Sequence, residues 1–230
     1  MITQILAWIA NVGQVFLVLS VIIWIINYFR FPKAVQILGY YLILNAIIQL
    51  VAYLLWKDSQ NNLYLLHLNT FLEFVCISLF FREVYVKQDY FKSFGLYFIL
   101  GICIFLIFNS MFWEPTDGFN TRAKVVVQVI LITYVIIYFF DAYGKVDLAQ
   151  TDAQAVSLIC FGILLYNSGS LFVFMFSEFS SLADVRESYR IIWMINGVLT
   201  FLFQLIILIA FLKLNRFGRS SDPSLAGKVL

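Results

Sequence analysis

Seven apolar runs divide the chain, at 3–29, 34–56, 63–85, 95–113, 124–143, 154–177 and 189–213. A membrane-crossing helix needs about 20 mostly apolar residues to span a hydrocarbon core of roughly 30 Å. The breaks between the runs are short and polar. They are Arg30-Phe31-Pro32-Lys33, Lys57 to Asn62, Lys87-Gln88-Asp89, Glu114-Pro115-Thr116-Asp117-Gly118, Gly144-Lys145-Val146-Asp147 and Ser180 to Arg190. Linkers of this length leave no room for a soluble domain. The pattern predicts one all-α integral membrane bundle of seven transmembrane helices over 1–213, with a short polar tail over 214–230. Alternation of period two is missing, which argues against an outer-membrane barrel.

Composition removes the competing classes. Of 230 residues, 63% are hydrophobic and 12% charged, whereas soluble proteins run at about 45–50% and about 25%. A net charge of +2 gives no basic field for nucleic acid.

The basic residues orient the bundle. Ten of the fifteen Lys and Arg fall on the side of the 1–2, 3–4 and 5–6 loops and the tail: Arg30, Lys33, Arg82, Lys87, Lys92, Lys145, Lys213, Arg216, Arg219 and Lys228. The other side has Lys57, Arg122, Lys124, Arg186 and Arg190. The positive-inside rule then predicts the N-terminus outside and the C-terminus in the cytoplasm of a bacterial inner membrane. No basic residue precedes Arg30, so helix 1 does not read as a cleavable signal peptide. Trp8, Trp56, Trp113 and Trp193 fall near the outer boundary, as an interfacial belt does.

Helices 1 and 5 share a pattern. Gln14-Val-Phe-Leu-Val-Leu-Ser-Val-Ile-Ile-Trp24 and Gln128-Val-Ile-Leu-Ile-Thr-Tyr-Val-Ile-Ile-Tyr138 are identical at six of eleven positions. Asn45 and Asn167, then Asn69 and Asn196, occupy comparable places in helices 2 and 6 and in helices 3 and 7. A parallel 3+1+3 arrangement, with helix 4 as linker, is one reading; chance similarity of apolar helices is the other.

Polar groups inside the bilayer are costly and mark candidate sites. Glu73 reads as the only charge near the centre of a span. It shares a helical stripe with Asn62, Asn69, Cys76, Phe80 and Glu83. The stripe suits a protonatable switch or ligand acceptor, or a neutral Glu73 bonded to an Asn or Tyr as interhelical glue. Asn11 and Gln14 on helix 1 join Asn45 and Gln49 on helix 2, with Tyr41 and Tyr53 on the same face. Helix 6 adds Tyr166, Asn167 and Ser170. Helix 7 adds Trp193, Asn196, Thr200 and Gln204. At 1.5 Å per residue these converge in the outer half of the bundle, where a pocket open to the outside is expected.

His67, the single histidine, excludes a multi-histidine metal site and suits a pH-sensitive or a satisfied interfacial group. No metal or cofactor motif, phosphate-binding glycine loop or activated nucleophile is present, so no enzyme is expected. Cys76, Cys103 and Cys160 lie inside spans and imply no disulfide framework.

Four stretches carry a resemblance. They are His67-Leu-Asn-Thr-Phe-Leu-Glu73-Phe, Phe108-Asn109 with Phe119-Asn120, Asn167-Ser-Gly-Ser-Leu-Phe-Val-Phe, and Ile192-Trp193-Met-Ile-Asn196. In these the chain resembles a Bacteroidota family of small seven-helix membrane proteins, often encoded beside histidine kinases. The resemblance implies a sensory input module with a separate cytoplasmic kinase as partner. It also implies a His in helix 7 where this chain has Asn196. Three functions follow as expectations: a sensor binding a small apolar or amphipathic ligand, a 3+1+3 carrier using Glu73, and a structural subunit of a membrane complex.

Overall fold

The computed structural model describes residues 2–85, 89–142, 151–182 and 186–218. Seven helices follow the apolar runs: α1 Ile2–Asn27, α2 Lys33–Lys57, α3 Tyr64–Val84, α4 Asp89–Phe112, α5 Thr121–Ala142, α6 Thr151–Leu182 and α7 Arg186–Gly218. All seven are long and apolar enough to cross a membrane. Lys87, Lys145, Arg219, Lys228 and the tail beyond Gly218 lie outside the described residues, as do the side chains of Asn11, Lys92, Arg186, Arg190 and Arg216. Helix α7 runs on to Gly218, past the apolar run that ends at Lys213.

Local chemistry sets the helix ends. Pro32 immediately precedes α2, where a fixed φ and a missing N–H cost nothing. Ser59, at φ 56°, takes the left-handed conformation that closes α2. The amide of Gln60 donates to Leu55 O at 2.9 Å and that of Ser59 to Trp56 O at 3.0 Å, satisfying two terminal carbonyls.

Packing between helices traces a closed ring in the order α1, α2, α3, α5, α6, α7 and back to α1. Helix α4 stands outside it, and its substantial contact is with α3 alone. Helix α3 therefore meets α2, α4 and α5, and it is buried over a wide arc. Phe74, Ile77, Phe80 and Phe81 from α3 fill the ring with Leu131, Ile159, Ile163, Ile207 and Phe211. Among the described residues the outer surfaces of α1 and α4 are mostly apolar, with Val15, Ile22, Ile26, Tyr97, Ile104 and Met111 all exposed. Such an apolar exterior requires lipid.

One close approach depends on a missing side chain. The Trp24 indole lies flat on Gly39, so that a Cβ there would fall 1.9 Å from Trp24 Nε1. The same ring packs edge-on against Tyr28 and Tyr40, whose hydroxyls hydrogen-bond at 2.8 Å.

Candidate functional site

The site begins in the α4–α5 loop. Glu114, a loop residue by its setting in the sequence, is buried. Its Oε1 accepts from the Arg122 amide at 2.7 Å, and its Oε2 from the Ala123 amide at 3.1 Å and Asn109 Nδ2 at 2.7 Å. These amides are orphan donors of the first turn of α5, where a carboxylate also meets the positive end of the helix dipole. Glu114 thus caps α5, which frees the Asn120 side chain. Asn120 Nδ2 reaches α3 instead, donating to Leu66 O at 3.0 Å and Thr70 Oγ1 at 2.6 Å. Two more ties hold the loop, one to α3 and one to the segment before it. His67 Nε2 donates to Gly118 O at 3.3 Å while Nδ1 shares a bond with Ser110 Oγ at 2.9 Å, and Asn61 Nδ2 donates to Asp117 O at 3.3 Å.

This docking sets the register between α3 and α5. The N-terminus of α5 starts level with Leu66 and Thr70, already one to two turns inside α3. One turn on from Asn120 comes Lys124; one turn on from Thr70 comes Glu73. Lys124 Nζ donates to Glu73 Oε2, and both side chains are buried. Two expectations are corrected here. Glu73 is not the only charge at mid-bundle, and its partner is neither Asn nor Tyr. The apolar window placed Lys124 at a helix end among the boundary charges, but α5 begins earlier and deeper.

Aromatic and hydroxyl groups surround the pair. Lys124 Nζ stands 5.7 Å from the Tyr166 ring centroid and 5.8 Å from that of Phe174, inside cation–π range. Tyr166 interacts with Glu73, Lys124 and Ser170, and Tyr41 of α2 lies within electrostatic range of Glu73. Ser170 Oγ donates to Asn196 Oδ1 of α7 at 3.1 Å. One polar network thereby joins α3, α5, α6 and α7, with Tyr41 of α2 close by.

A cleft of about 600 Å³ opens between α2, α3 and α7 beside the α4–α5 loop. Gln49, Trp56, Asn69, Phe119 and Trp193 are among the residues that line it. Trp193 stacks on Phe119 at 5.8 Å and meets Phe174 edge-on at 5.5 Å. Phe174 in turn borders Lys124. An aromatic wall therefore runs from the cleft to the ion pair.

The predicted polar residues divide accordingly. Glu73, Tyr166, Ser170 and Asn196 meet in the network; Gln49, Asn69 and Trp193 line the cleft. Gln14 is exposed on α1, outside both, whereas Gln128, the residue aligned with it in helix 5, is fully buried. Asn167 donates to Ile163 O and Thr200 to Asn196 O, each bonding back along its own helix. Asn45 and Gln204 are buried outside the cleft lining. The Asn11 side chain lies outside the described residues. Sequence reasoning missed Lys124, Glu114 and Phe174. The one available signal for Glu114 was an Asn N-cap candidate at 120 with an acid shortly before it.

Among the described residues no three His, Cys, Asp or Glu side chains converge in a way that would hold a metal. No protein-family profile, curated protein or solved structure matches the chain.

Proposed function

We propose that the protein is a receptor-like sensory module of a bacterial inner membrane, with its N-terminus outside and its C-terminus in the cytoplasm. A small apolar or amphipathic ligand occupies the α2/α3/α7 cleft, and a separate cytoplasmic partner reads the result. The family resemblance points to a histidine kinase as that partner. Catalysis has no part in this reading. The observation that carries it is the placement of Asn69 and Glu73 on one helix, one turn apart, with the cleft at the first and the ion pair at the second. A ligand that moves Asn69 or Trp193 acts on the helix and the aromatic wall that hold Glu73 and Lys124. The burial of Lys124 also supports the orientation, because the outer side keeps four boundary charges against ten.

Two measurements test the reading together. A kinase should co-purify in a stable complex from solubilised membranes, and proteoliposomes should take up no solute. Uptake without a complex overturns it.

A second reading has one observation in its favour. With α4 outside the ring, α1–α3 and α5–α7 each supply three consecutive helices, the arrangement a 3+1+3 carrier would have. In that case Glu73→Gln abolishes uptake.

A further inference from the structure

Resting on the cleft as a ligand site, we infer that its ligand is an uncharged amphiphile whose headgroup donates a hydrogen bond, a hydroxyl or carboxamide on an apolar body. Among the described residues that line the cleft, from Ile48 and Gln49 of α2 to Phe119 and Trp193, none is ionisable. A carboxylate, phosphate or ammonium seated there would leave water without meeting a counter-charge. Among the described residues the buried cation is Lys124, which borders Phe174, outside the lining, and is bound to Glu73.

The polar lining nonetheless selects a headgroup. Asn62 Nδ2 is committed to Ala52 O at 3.1 Å. Gln49 and Asn69 bring carboxamides from the two facing helices, and Asn69 Oδ1 has no hydrogen-bond partner. Rotation about the soft terminal torsion of Asn69 turns that oxygen to a ligand donor. The rest of the surface is aliphatic and aromatic, suited to an acyl chain or flat ring. The volume, about 600 Å³, falls in the range of small-molecule sites, about 300–1,000 Å³. Trp56 is largely exposed at the mouth, where a tryptophan belt marks the bilayer interface. Neutral amphiphiles such as monoacylglycerols concentrate at that depth.

The test uses the full chain in phosphatidylcholine nanodiscs and its own tryptophan emission, since Trp56 and Trp193 line the cleft. Three probes share one acyl chain: a monoacylglycerol, the free fatty acid and an alkyltrimethylammonium. The monoacylglycerol should change the emission and bind at least about tenfold tighter than either ion. Ala52→Phe, which fills the cleft, should abolish the response. Asn69→Leu should erase most of the preference for the neutral probe while the thermal transition stays cooperative. Equal or tighter binding of the acid or the ammonium overturns the neutral headgroup and leaves the cleft as a site. If none of the three probes alters the wild-type emission, the cleft is not a site for such ligands and the reading beneath falls as well.

Discussion

Lys124 lies one turn into α5 and Glu73 more than two turns into α3, yet their side chains meet. The offset is taken up by Asn120, which seats the start of α5 against Leu66 and Thr70. An ion pair between parallel helices is thereby built from a loop contact one to two turns away on α3. Removing either partner leaves a buried charge without compensation, at a cost of about 3–5 kcal/mol. Glu73→Gln and Lys124→Met should each lower the thermal midpoint in detergent. The double variant should recover most of the loss, as a double-mutant cycle reads. Additive losses would show that the two charges do not depend on each other.

Glu114 does the capping that the N-cap residue usually performs. Glu114→Ala should destabilise the protein by about 1–2 kcal/mol, the value of a helix cap. The amides of Arg122 and Ala123 should exchange with deuterium faster, while those at the far end of α5 should not change. Unaltered exchange at the two amides would show that the carboxylate does not hold them.

Gly39 is needed for contact, not for backbone freedom. Gly39→Ala drives a methyl into the Trp24 indole and should cost about 1–3 kcal/mol, as overpacking does. Combining it with Trp24→Leu should restore part of the stability. Gly101→Ala, with nothing within 4 Å of the new methyl, is the control and should be neutral or slightly stabilising.

The orientation has its own test. A fluorescent-protein fusion at the C-terminus should fold and fluoresce in the cytoplasm, and a cysteine replacing exposed Lys57 should react with an impermeant maleimide from outside. The reverse pattern would invert the topology and place the cleft on the cytoplasmic side.

The seven spans were legible because a continuous apolar run of membrane length is an unambiguous signal in lipid. Glu73 stood out for the same reason, as an acid deep within such a run. Its partner did not, because Lys124 sits at the edge of its run, where lysines ordinarily face water. Only the tertiary docking of the preceding loop carries it inward. Glu114 was hidden likewise: a polar loop acid looks solvated until the loop folds over α3. Side chains expected at one depth do not all meet, since depth says how far in a side chain lies but not which way round its helix it points. Gln14 and Asn69 have comparable polarity, but one is exposed on α1 while the other lines the cleft.

The separation of 51 residues between Glu73 and Lys124 bears on how the protein is made. Helix α3 enters the membrane before its counter-charge exists. At about 5–20 residues per second, α4, the loop and the start of α5 take roughly 3–10 s to follow. During that interval the acid has no lysine, and α3 is the least settled of the first helices in the bilayer. Helix α4, lying outside the ring, leaves the flank of α3 open for α5 to arrive late and close it. A chain stalled before Thr121 should therefore hold α3 less firmly in the bilayer than the finished protein does.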